Sequence, residues 1–113
     1  MKAINLKEEA LKIGKFEYKV IGKMNNHNFT LIKAKDRKLD FHSHPDSDEV
    51  FFIVEGEMKL EFEDKLLELK AGEMCIVPKG VVHRPVCETD VTTMLIEIDG
   101  TLTPDNTHGK YKS

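Results

Sequence analysis

Apolar and polar positions along this chain repeat with two periods. Near the start, Leu6, Ala10, Leu11 and Ile13 lie roughly on one helical face, behind Asn5 as N-cap and Glu8 as a weaker capping-box partner. Gly14 supplies a stop, so a short N-terminal helix is expected. From Lys15 the period is two. Phe16, Tyr18 and Val20 alternate with charged residues, Asn25 to Asn28 reads as a turn, and Phe29 to Ala34 as the next strand. Lys35-Asp36-Arg37-Lys38 reads as a further turn. Val50 to Val54 is apolar at every position, which predicts a strand covered on both faces. Met58, Leu60 and Phe62 alternate with charges, and Leu66 to Leu69 and Met74 to Val77 follow across turns at Asp64-Lys65 and Ala71-Gly72. Pro78-Lys79-Gly80 is the strongest turn signal, and Val81 to Val86 and Val91 to Ile98 complete the series.

Many short strands without long helical periodicity or internal repeats predict an all-β sandwich or barrel. The expected division is a helical segment over residues 1–14, a single barrel over 15–100 and a polar, loosely held tail over 101–113.

Composition narrows the class. A length of 113 residues suits one domain, and 40% hydrophobic with 33% charged residues suits a soluble globular protein. A formal charge of −3, without a Lys/Arg block, makes nucleic acid an unexpected partner. Apolar runs fall far short of the ~20 residues that span a bilayer, so no membrane association is expected. The charged N-terminus lacks a signal-peptide core, and Cys75 and Cys87 are expected to stay reduced, so the cytoplasm is the expected location.

The chemistry concentrates in Asp40 to Gly56, DFHSHPDSDEVFFIVEG. If His42 and His44 lie on a strand, their imidazoles share a face, and Glu49 can return beside them after the Pro45-Asp46-Ser47-Asp48 turn. Nitrogen and carboxylate oxygen together favour a divalent transition metal. His83, following the Pro78-Lys79-Gly80 turn, joins them only if a barrel closes around the site.

These residues resemble the motifs of the cupin superfamily. His42, His44, Glu49 and Gly56 match its first motif, and Gly72, Pro78, Gly80 and His83 its second. Glu57 to Ala71 forms a short intermotif segment. Asp36 stands where the first motif often begins with glycine, and Cys87 where the second often ends in asparagine. The resemblance implies a double-stranded β-helix or jelly-roll barrel holding one divalent ion (Mn, Fe, Ni, Co, Cu or Zn) on His42, His44, Glu49 and His83. It implies a small-molecule ligand and a homodimer, to which the two-faced apolar strand also points. The function it implies is a metal-dependent enzyme. Dioxygenase-like chemistry stands ahead of sugar isomerisation or epimerisation because no Tyr-His or Lys-His pair and no Arg-rich pocket is legible. The alternative is a non-catalytic, metal-anchored binding or sensory module.

Other polar residues carry weaker readings. Asp40 shares parity with His42 and is an acid/base candidate, and Cys87 shares parity with His83, though a small buried hydrophobe is its simpler role. Phe51 and Ile53 are expected to wall the pocket. His27, His108, Asp46 and Asp48 read as turn residues.

Overall fold

A computed structural model of the chain describes residues 1–103, 106–107 and 111–112. Its strands are β1 (Tyr18–Met24), β2 (His27–Ala34), β3 (Arg37–Lys38), β4 (Glu49–Glu55), β5 (Glu57–Phe62), β6 (Leu66–Lys70), β7 (Met74–Val77), β8 (His83–Cys87), β9 (Val91–Ile98) and β10 (Tyr111–Lys112). One sheet runs β10-β1-β2-β9-β4-β7 and the other β3-β8-β5-β6. Every pairing among the described residues is antiparallel except β1 with β10. From β6 onward successive strands alternate between the sheets as far as β9, as in a jelly roll. The inner faces meet in a core that includes Phe51, Ile53, Leu60, Val77 and Leu95.

The sequence pattern explains most of this. Inward residues of β4 are buried, while Val50, Phe52 and Val54 on its other face are only half-covered. That outer face is therefore less enclosed than the continuous apolar run implies. Part of its cover is α1 (Leu6–Ala10), whose Asn5 cap accepts the Glu8 N–H at 3.0 Å. Ala10 and Ile13 bury against Leu31, with Ile21, Val54 and Met94 around them. The helix ends before Gly14, and Leu11, expected on the packed face, is 83% exposed at the C-cap.

Three strand boundaries differ from the pattern. Phe16 has φ 68° and lies outside β1, where its N–H donates to the Lys33 carbonyl at 2.6 Å. Within Lys35 to Lys38, Asp36 makes the left-handed turn with φ 50°, and Arg37–Lys38 pairs with β8. An aspartate tolerates this conformation better than most non-glycine residues, which accounts for its place at a position the motif often gives to glycine. Val81 is not in β8, because its N–H closes the preceding turn on the Pro78 carbonyl at 3.2 Å.

Gly56, by contrast, cannot be replaced freely. It has φ 81°, and a Cβ there would overlap the Asp90 carbonyl oxygen. The tail is also less detached than expected. Thr107 is buried, its hydroxyl donating to the Thr103 carbonyl at 2.7 Å, and β10 extends the first sheet. His108 lies outside the described residues. His27 opens β2 opposite Met24 and Ile98, so it is a strand residue instead of a turn residue.

Candidate metal centre

The segment carrying His42 and His44 is irregular, not the expected strand; His42 forms a single bridge with His83. Pro45 and the following bends prevent a continuous ladder. Its main chain bonds across to the Pro78–His83 turn instead. His42 and His83 exchange backbone bonds at 3.0 and 2.9 Å, and the Gly80 N–H donates to the His44 carbonyl at 2.9 Å. Asp48 accepts the Lys79 N–H at 2.9 Å, so its side chain braces the neighbouring turn instead of its own. The buried Ser47 hydroxyl accepts the Ile98 N–H at 2.9 Å.

This stitching brings all four expected ligands together. The His42–His44, His42–His83 and His44–His83 ring centroids are 5.2, 4.6 and 5.6 Å apart. His42 Nδ1 meets the Asp40 carbonyl, and His83 Nδ1 the Val81 carbonyl, each at 2.8 Å. A carbonyl only accepts, so each Nδ1 carries the proton and each Nε2 keeps its lone pair. Asp40 thus meets His42 through its main-chain oxygen, while its carboxylate, the acid/base candidate, is exposed at the cavity edge.

With that tautomer, His83 Nε2 approaches Glu49 Oε1 to 3.0 Å, and His44 Nε2 stands 3.5 Å from the same oxygen. Two acceptor atoms hold such a distance only with a proton or a cation between them. Ligands ~2.1 Å from one ion and at right angles to each other would be about 3 Å apart. The donor set fits a divalent metal on this ground.

Burial favours neutral imidazoles. It lowers the pKa of His42 and His83, and it lowers His44 to about 4 with help from the other two rings. The ligand nitrogens are therefore available at neutral pH.

One further residue belongs to this group. Register places Val50 opposite Ile96, so the next step sets Glu49 against Glu97. Glu97 is 1% exposed, and its oxygens find no donor elsewhere among the described groups. His44, Glu49 and Glu97 offer ligand atoms within 4.8 Å of one another, and the three histidines form a second such group. Burial and the adjacent Glu49 push the Glu97 pKa up to about 10, and burial raises that of Glu49 as well, so the pair carries a proton near neutral pH. The available signal was its inward parity with Val91, Thr93 and Leu95, but its partner became visible only in the pairing of β9 with β4.

The centre opens into a cavity of about 340 Å³. Ile32, Phe51, Met58 and Leu95 contribute an apolar wall, while Arg37 and Tyr18 bring in unexpected polar groups. Leu102 and Asn106 from the tail also reach it. Phe51 walls the cavity as expected, whereas Ile53 is fully buried in the core and does not line it. Cys87 faces the cavity, but burial pushes its thiol pKa up to about 11 and so removes thiolate character near neutrality. Cys75 and Cys87 are both free thiols.

Comparison with known proteins agrees with the fold and motifs. The family model for the cupin domain matches residues 28–99. The chain belongs to the cupin family. Among relatives of this cupin, an uncharacterized protein, YdbB, from Bacillus subtilis is 39% identical over 72 residues, covering 55% of this chain and 64% of that protein. The cupin spans less than two thirds of the length of the curated relatives it matches, 64% and 26%. A cupin-2 domain containing protein from Shewanella frigidimarina has a TM-score of 0.80 at 35% identity, covering 84% of this chain and 93% of its own. Protein NMB1881 from Neisseria meningitidis has a TM-score of 0.77, also at 35% identity, covering 87% and 100%.

Proposed function

We propose that this cupin holds one divalent transition-metal ion on His42, His44, Glu49 and His83 and acts as a metal-dependent enzyme on a small molecule. The observation that carries this reading is the convergence of ligand atoms from His42, His44 and His83, with Glu49 Oε1 3.5 Å from His44 Nε2 and 3.0 Å from His83 Nε2. When bound there, the ion supplies Lewis acidity or redox chemistry. The Asp40 and Val81 carbonyls orient two of the imidazoles, and the surrounding wall limits access of water. Dioxygenase-like chemistry is favoured over sugar isomerisation because Ile32, Phe51, Met58 and Leu95 suit a hydrocarbon surface better than a polyol.

Metal analysis and thermal unfolding, with Mn, Fe, Co, Ni, Cu and Zn added separately, test the ligand set. Wild type is expected to take up about one ion per chain and melt higher, whereas His83→Gln and Glu49→Gln lose most of that gain. No uptake of any ion would overturn the reading. An oxygen-consumption screen then tests chemistry: uptake and ligand binding without turnover would assign the sensory or binding role instead.

We also propose pairing with a second copy of the chain. Strand β7 ends its sheet, and Met74 and Ile76 on it are 60% and 57% exposed beside the half-open Val50 and Phe52.

A further inference from the structure

The cavity has a second polar pole, on β3 and β1. Arg37 lines it, and its Nη2 donates to the Tyr18 hydroxyl at 2.8 Å. The guanidinium also lies 5.5 Å from the Tyr18 ring centroid and 5.7 Å from that of Phe16, so aromatic faces hold it in place. No carboxylate among the described residues pairs with it, whereas Arg84 pairs with Glu61 at 3.0 Å. Asp40 shares the cavity edge but forms no ion pair with Arg37. Arg37 is the only cationic side chain among the described lining residues.

Tyr18 adds a second donor. It is 5% exposed, and its oxygen accepts from Arg37 while its own O–H has no acceptor among the described residues. The guanidinium N–H groups not engaged by Tyr18, and a phenolic O–H left unanswered, at one end of an apolar cavity match an incoming oxyanion. One positive charge, without lysine in the lining, suits a monoanion better than a phosphate dianion.

We propose that Arg37 and Tyr18 anchor the carboxylate of a small organic acid. Its apolar body lies along the Phe51 and Leu95 wall, and its far end faces the histidine cluster. The far end rests on the metal reading above; the anchor does not.

Calorimetric titration of the EDTA-treated full chain with hexanoate separates the two. Hexanoate is expected to bind at least tenfold more tightly than neutral hexanamide. Arg37→Gln should lose tenfold or more of that affinity, the size expected for a charge-assisted hydrogen bond. Arg37→Lys should restore part of it, and Tyr18→Phe should lose a smaller share. Arg84→Gln, which removes a cation outside the cavity lining, should leave metal-free hexanoate binding unchanged. Equal affinity for acid and amide, no detectable hexanoate binding, or Arg37→Gln and Tyr18→Phe both behaving as wild type would overturn the proposal. Tighter binding of hexyl phosphate than of hexanoate would overturn the carboxylate assignment. Loss of hexanoate binding in His42→Gln but not in Arg37→Gln would place the carboxylate at the wrong pole. Failure of metal uptake in the separate metal assay would remove the metal reading while leaving the anchor intact.

Discussion

Glu97→Gln should make the metal-free protein more stable, and increasingly so as pH rises. In the folded chain Glu97 is buried beside Glu49, and its pKa rises from 4.5 to about 10. Unfolded, the same carboxyl loses its proton near 4.5. Its contribution to stability is therefore fully present below that pH and is lost progressively as pH rises towards 10. Each pH unit inside the window costs about 1.4 kcal/mol, so the group costs on the order of 3 kcal/mol at pH 7. The substituted amide would keep the shape, donate its N–H to Glu49 and carry no titrating proton. Urea unfolding of EDTA-treated wild type and Glu97→Gln at pH 5, 6, 7 and 8 measures the effect. The two are expected to be close in stability at pH 5 and to diverge by a few kcal/mol at pH 8. Parallel pH profiles would refute the protonated buried pair.

Other outcomes follow from the same geometry. His44 has its pKa lowered from 6.5 to about 4, so metal-free stability should fall as pH drops through that window, by about 1.4 kcal/mol per unit. His44→Gln should flatten this limb of the unfolding profile. Gly56→Ala should cost at least ~2 kcal/mol in urea unfolding, because positive φ and the Asp90 carbonyl both oppose a Cβ. For the dimer, light scattering at micromolar concentration should give twice the chain mass, and Ile76→Lys should return the monomer mass. A monomeric wild type would refute the pairing proposal.

Much of the fold was legible because local periodicity reports which face a residue buries. Alternation through Met58, Leu60 and Phe62 predicted β5, and the Asn5 cap predicted α1, since both signals act over a few residues. Phe16 and Leu11 misled the pattern: a left-handed backbone and an early helix end changed their direction without changing their hydrophobicity. The candidate ligands were legible from residue type and motif spacing. His42 and His44 nevertheless converge through bonds to the Pro78–His83 turn, instead of through strand parity.

By itself, the sequence determined an all-β cupin chain with His42, His44, Glu49 and His83 as its conspicuous donors. Tertiary structure decided that Glu97 faces Glu49, that Arg37 reaches Tyr18 at the cavity, and that the Asp40 carbonyl meets His42. The physical reason is reach. Burial period and capping are encoded within a turn or a strand, whereas the partner of a buried charge depends on register between strands distant in the chain. A lone acid at inward parity in β9 is one letter in the sequence and half of a proton-sharing pair in the fold.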